Sequence, residues 1–253
     1  MNRTFLTAAI AAARSAGALL RQHFGAPLAV NEFHAHDIKL DLDVRAQELI
    51  TVALLGQFPD HAIFGEEGLA GNQASEFQWI VDPIDGTVNY FYGIPHFCIS
   101  IALRRAGEIQ VGVIYDPARD ELWAVEKGGT PTLNDKPIQV STRTKLSDAV
   151  LSIGFAKSAA TIAAGLPLLE KYVQRARKCR LMGSAALDLA YVACGRLDAY
   201  IEQQDSLWDV AAGKILVEAA GGTFQMTERV DVPGKISVVA SSGRIDLAIG
   251  RLD

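Results

Sequence analysis

Trp79-Ile80-Val81-Asp82-Pro83-Ile84-Asp85-Gly86-Thr87-Val88-Asn89 is the stretch whose reading decides the fold. Its first three residues are apolar with strong strand propensity, and predict a short buried strand. Pro83 has a fixed φ and no N–H to donate, so it predicts the end of the ladder. Asp82 and Asp85 stand three residues apart, where a single turn can aim both carboxylates at one point. Carboxylates that close repel each other, and one pKa rises unless a cation stands between them. Mg²⁺ suits such a pair, because it is hard, prefers oxygen ligands and keeps part of its water shell. Gly86 permits close backbone approach to a ligand, and a helix starting at Gly86-Thr87 offers free N–H groups to phosphate. Taken without its surroundings, the stretch is a strand ending in an Asp-Pro turn followed by Asp-Gly. The full string behind an apolar strand favours the metal and phosphate reading.

The string Asp82-Pro-Ile-Asp85-Gly-Thr87-x-Asn89 resembles the signature of the inositol monophosphatase family of Mg²⁺-dependent, lithium-sensitive phosphatases. The resemblance runs over approximately the whole chain. It implies the five-layered α-β-α-β-α sandwich of the inositol monophosphatase and fructose bisphosphatase superfamily. It also implies two pseudo-domains. Residues 1–145 would carry metal and phosphate ligands, and residues 146–253 would complete the metal site and contact substrate. Read independently, the blocks of strand and helix give an α/β or α+β architecture with stacked layers.

Further matches assign roles by resemblance. Asp43, in the first turn of a helix expected over residues 44–55, matches the aspartate that hydrogen-bonds the signature threonine and helps activate water. Asp41 competes for that alignment, and a helix cap or first-turn acid is the plain structural role of Asp43. Glu66 follows the short strand Phe58 to Gly65 and matches the family's metal-bridging glutamate, with a part in catalysis. Glu67 would orient it. Trp208-Asp209-Val-Ala-Ala-Gly213 resembles the second family signature and makes Asp209 the fourth metal carboxylate, although an acid there also serves as a helix-start residue. Gly183-Ser184-Ala185-Ala186 opens a nearly all-apolar helix whose start can meet an anion or sugar hydroxyls. The family contacts substrate at this corner, so Gly183, Ser184 and Ala185 are candidates. Glu202 stands where inositol-binding members place a glutamate. An acid on an exposed strand edge is the alternative.

The rest of the chain sets bounds. With 253 residues and 49% hydrophobic content, it can bury a full core. A net charge of −5 gives no basic face for a nucleic-acid polymer. Cys98, Cys179 and Cys194 are odd in number, scattered, and read as buried thiols of a reducing compartment. Phe5, Ala8, Ala9, Ala12, Ala16, Leu19 and Leu20 share one face of a first helix, which favours a structural helix over a signal peptide. No run is long enough to span a membrane, and the expected location is cytoplasmic. His34 and His36 form a His-x-His pair, read as solvated rather than metal-binding. His96 on the loop after the signature is read as packed or solvent-facing. Paired strands are expected over residues 97–103 and 109–115, across a turn at Ala106-Gly107, and a third over 121–125. Gly165 and Pro167 should break a helix over residues 159–172. The basic run Arg175, Arg177, Lys178 and Arg180 reads as a solvated or interface face.

The resemblance implies a phosphomonoesterase. Glu66, Asp82, Asp85, Asp209 and the Ile84 carbonyl would hold about two or three Mg²⁺ ions that activate water. Thr87 and Asp43 would orient that water, and the Gly86 and Thr87 amides would stabilise the phosphate. Inositol 1-phosphate leads as substrate, ahead of a nucleotide bisphosphate, a sugar phosphate or histidinol phosphate. The family commonly forms homodimers. A glycosidase using Asp82 and Asp85 is disfavoured, because that reaction needs carboxylates on opposite sides of a sugar. A binding protein that keeps the fold without catalysis would have lost a ligand, and none is lost.

Overall fold

The structure, a computed structural model, describes residues 4–34, 37–155, 159–230 and 232–248. The His34/His36 pair involves His36, which lies outside these residues. Helix α1 (Phe5–His23) is capped by Thr4, whose hydroxyl accepts the Thr7 N–H at 3.2 Å. It buries Ala8, Ala9, Ala12, Ala16 and Leu20 on the expected face. A ribbon of β1 (Val30–His34) and β2 (Asp37–Leu40) leads into α2 (Asp41–Leu55).

Next come β3 (Ala62–Gly65), β4 (Gly68–Gly71), β5 (Phe77–Asp85), a short α3 (Thr87–Phe91), β6 (Cys98–Arg105), β7 (Glu108–Asp116), β8 (Glu121–Glu126), β9 (Thr132–Leu133) and β10 (Lys136–Pro137). These strands form an eight-stranded sheet of order β10-β9-β8-β7-β6-β5-β3-β4. The second half adds β11 (Val150–Ile153), α4 (Ala159–Val173), β12 (Lys178–Arg180), α5 (Ala185–Ala193), β13 (Ala199–Asp205), α6 (Leu207–Ala219), β14 (Thr223–Glu228) and β15 (Ile236–Ser241). Its five-stranded sheet has the order β12-β11-β13-β15-β14.

Strand alternation stacks these pieces into layers, because successive side chains enter different cores. Trp79 and Val81 of β5 join the core with α1 and α2, while Ile80 joins the core with α5 and α6. In β13, Tyr200 faces that same α5–α6 core, and Ala199 and Ile201 face Tyr172 of α4. The order is therefore α1/α2, large sheet, α5/α6, small sheet, α4, which is the expected five-layered sandwich. Among the described residues, no helix is long and apolar enough to cross a membrane.

Three local expectations are corrected, and one alternative is set aside. Pro83 does not end its strand, since β5 runs through it to Asp85. Asp82 pairs with Ser100 and Asp85 with Cys98, so three steps on β5 match two on β6. This is a β-bulge, where the ladder is interrupted and the missing proline N–H costs little. Gly165 and Pro167 do not break α4. Proline forfeits one intrahelical bond there, and Leu168, Leu169 and Tyr172 hold the helix on Leu151 and Ile201. Glu202 does not sit on an exposed edge. It is 6% exposed, on a strand flanked by β11 and β15. Of the cysteines, Cys98 is buried, whereas Cys179 and Cys194 are half-buried and all three are free thiols.

Trp79 is fully buried among Phe5, Phe58 and His61. Trp79→Ala should cost about 3–5 kcal/mol of unfolding free energy. Urea denaturation checks this, and a loss below about 1 kcal/mol would contradict its place in the core.

Candidate active site

The β5 bulge brings the two signature aspartates together. In an unbroken strand, residues three apart point to opposite faces. The extra residue returns Asp85 to the face of Asp82, the side that carries α5 and α6. Glu66 arrives from β3, which runs parallel to β5 with Gly65 opposite Val81. Its N–H donates to the Val81 carbonyl at 3.0 Å, so it leaves the sheet beside Asp82. Asp209 comes from more than a hundred residues away. Ser100, the register partner of Asp82, donates its hydroxyl to the Trp208 carbonyl at 3.2 Å and pins the start of α6 there. All four carboxylates, with Ile84, line one cleft of about 620 Å³.

Main-chain groups fix three of these acids. Asp82 accepts the Ile84 N–H at 3.0 Å, and Asp209 accepts the Ser206 N–H at 2.6 Å. Asp85 accepts the Ala186 N–H at 2.7 Å and the Ser184 hydroxyl at 2.6 Å. Burial, reinforced by Glu66, Asp85, Asp209 and Asp43, pushes Asp82 well above the carboxylate range. Burial also raises Asp85 to about 6, against the lowering effect of its Ser184 and Ala186 bonds. This is the electrostatics of a cluster of acids that a cation would reverse.

Asp43 and Thr87 meet between the start of α2 and the start of α3. Asp43 is buried in the first turn of α2 and accepts the Leu40 N–H at 2.8 Å. The Thr87 hydroxyl lies 2.9 Å from the Ile84 carbonyl and 3.4 Å from an Asp43 oxygen. Burial, opposed by the Leu40 bond and aided by Glu66 and Glu67, raises Asp43 to about 8. Asp41, the competing candidate, lies on the same turn in an exposed position.

Gly86 has φ +92° and precedes α3. A Cβ there would lie 2.9 Å from the His96 carbonyl and 3.2 Å from that of Gly183. The glycine therefore allows close approach within the protein itself. Asn89 ties the same corner, donating to the carbonyls of His96 and Met182, both at 2.8 Å.

Gly183, Ser184, Ala185 and Glu202 all line the cleft. Ser184 is buried, and its hydroxyl is committed to Asp85, so it positions that aspartate. Glu202 accepts the Gln203 N–H at 3.0 Å. Its carboxylate fills the space that a side chain on Gly154 would need, since a Cβ there would lie 1.7 Å from Oε2.

The donor set fits a hard divalent cation, because carboxylates and the Ile84 carbonyl offer oxygen alone and repel one another without an ion. As the side chains stand, no three acid, imidazole or thiol groups among the described residues converge on a point.

Sequence reasoning missed three cleft residues. Asp188 sits buried in the apolar α5, bonded by Ser152 at 2.5 Å, with His96 Nε2 at 3.5 Å from its other oxygen. An acid inside so apolar a helix was the available signal. Asp205 is buried and bonded by the Tyr200 hydroxyl at 3.1 Å. Lys235 also lines the cleft. Nothing in the local sequence of either marks it.

A description of the inositol monophosphatase family matches residues 1–250. The chain is 41% identical over 237 residues to a Nus factor SuhB of Xylella fastidiosa, covering 92% of this chain and 86% of that protein. It is 39% identical to an inositol-1-monophosphatase of Mesorhizobium japonicum, covering 96% and 94%. The solved inositol monophosphatase of Anabaena superposes with a TM-score of 0.82 at 38% identity, covering 95% and 91%. The relatives carry different names, so the comparisons establish the reaction class and leave the substrate open. The chain belongs to the inositol monophosphatase family of metal-dependent phosphatases and is a phosphoric monoester hydrolase.

Proposed function

We propose that this phosphatase releases phosphate from a small polyol phosphate, with inositol 1-phosphate the leading substrate, and that Mg²⁺ is its metal. The observation that carries the reading is one cleft bringing Glu66, Asp82, Asp85 and Asp209 together beside the Thr87–Asp43 pair. Glu66, Asp82, Asp85, Asp209 and the Ile84 carbonyl are the groups that would hold the metal. When bound, Mg²⁺ supplies Lewis-acid stabilisation of phosphoryl charge and lowers the pKa of water. Thr87 orients the attacking water through its hydroxyl, and Asp43 accepts the proton passed along that bond. The Gly86 and Thr87 amides stabilise charge on the phosphate oxygens. Buried Glu202 supports a polyol substrate, because its carboxylate can accept hydrogen bonds from ring hydroxyls. The Mesorhizobium relative's name supports the same substrate. A nucleotide bisphosphate, a sugar phosphate and histidinol phosphate are the competing esters. The reading extends to a cytoplasmic homodimer, inhibition by lithium, and two pseudo-domains meeting near residue 145.

Phosphate release from a panel of these esters tests the proposal. Inositol 1-phosphate should be hydrolysed with added Mg²⁺, not after chelation, and Ca²⁺ should inhibit because it prefers a larger, looser shell. Full turnover after exhaustive chelation would remove the metal from the account. Preference for another ester would remove inositol 1-phosphate.

A further inference from the structure

The cleft is lined by seven carboxylate side chains, and Lys235 is its one basic side chain among the described residues. An ammonium in such surroundings ordinarily pairs with a carboxylate, yet Lys235 forms no ion pair among the described residues. Its Nζ donates instead to the neutral hydroxyl of Ser206. An ammonium has three donors, so this contact leaves capacity for an anion. The position of Lys235 is also built. The turn between β14 and β15 is closed by the Arg229 N–H on the Lys235 carbonyl at 2.9 Å and the Lys235 N–H on Val232 at 3.1 Å. A further bond at 3.1 Å runs from the Arg229 guanidinium to the Gln203 carbonyl of β13.

The two walls of the cleft have different chemistry. Gly86 and Thr87, the proposed phosphate cradle, follow β5 of the large sheet. Glu202 belongs to β13 of the small sheet and Lys235 to its β14–β15 turn. The leaving group of an ester whose scissile phosphate sits at Gly86–Thr87 can extend across the shared cleft to the small sheet, where a hydroxyl acceptor and a cation stand.

We infer that Lys235 determines specificity by binding a second anionic group, phosphate or carboxylate, on the leaving group of the ester. This rests on the phosphatase reading above and extends its substrates from inositol 1-phosphate to polyol phosphates that carry a second anion. Glu202 then reads hydroxyls and Lys235 reads charge.

Matched esters test it. Inositol 1-phosphate is compared with inositol 1,4-bisphosphate, and glycerol phosphate with phosphoglycerate, in the parent, Lys235→Met and Lys235→Arg enzymes. The first pair adds a phosphate and the second a carboxylate, so the two pairs separate the sources of the anion. Loss of a charge-assisted hydrogen bond should lower the ratio of kcat/KM for the ester with the second anion to that for its matched partner about tenfold or more in Lys235→Met. The change should lie mainly in KM, and Lys235→Arg should keep most of the ratio. An unchanged ratio in both pairs would overturn the inference. So would an equal fall for the esters with and without the second anion, which would make Lys235 a prop for α6 through Ser206. If the parent enzyme hydrolyses the esters without a second anion and the ratio ignores Lys235, the inference alone falls. If it hydrolyses none of the four while releasing phosphate from another ester, the polyol-phosphate reading falls and takes the inference with it.

Discussion

Thr87→Ala is expected to lower kcat by about 10²–10⁴-fold, the usual worth of general acid–base assistance, while the Mg²⁺ requirement stays near the parent value. The Thr87 hydroxyl has one proton and two acceptors within reach, the Ile84 carbonyl at 2.9 Å and Asp43 at 3.4 Å. When the proton turns to Asp43, the oxygen lone pairs are available to receive one from water. Alanine removes this path and leaves the aspartates and the Gly86 turn in place. The half-buried side chain packs little apolar surface, so unfolding free energy should barely change. Phosphate-release kinetics across Mg²⁺ concentrations check the prediction. An unchanged kcat with a raised Mg²⁺ requirement would place Thr87 among the metal's ligands instead.

The parts of the site that were legible in the sequence are those whose chemistry is local. Asp82 and Asp85 are three residues apart, and any compact turn or bulge brings them together. What local reading could not supply was the kind of turn. Pro83 argued for a strand end, and pairing with Ser100 and Cys98 across the sheet made a bulge instead. The convergence of Asp209 depends on Ser100 bonding the Trp208 carbonyl, a contact between distant segments that no periodicity records. Resemblance to the family supplied that link.

The layers were legible for similar reasons. Helices and long strands announce themselves through periodicity, whereas β4 and β12 do not. Gly68-Leu-Ala-Gly71 has poor strand propensity, and Lys178-Cys-Arg180 reads as part of a basic run. Both are edge strands, and charged or short edges resist pairing with other chains. For Glu202 the same rule offered an exposed edge as the alternative to a substrate contact, and that edge is absent. The burial of Glu202 follows from β13 lying inside the small sheet, a placement set by tertiary packing.

Asp209→Asn separates structure from chemistry. Asp209 receives the Ser206 N–H at 2.6 Å in the first turn of α6, and an asparagine oxygen can accept the same bond. The helix start should therefore survive. Asp209 also adds to the repulsion that raises Asp82 and Asp205, so removing its charge relieves strain in the metal-free protein. As a ligand, however, it would contribute a full negative charge to a bound cation. Loss of an outer supporting partner costs metal sites about 10–100-fold, and loss of a direct ligand should cost at least that much.

The most direct measurement is a Mg²⁺ titration of inositol 1-phosphate hydrolysis by the parent and Asp209→Asn enzymes, with thermal unfolding followed in the same samples. Binding to the native state raises the unfolding temperature. The account predicts a folded variant, a half-saturating Mg²⁺ concentration raised at least about tenfold, a large loss of kcat and little thermal stabilisation by Mg²⁺. A variant that matches the parent rate and the parent thermal shift at every Mg²⁺ concentration would contradict it.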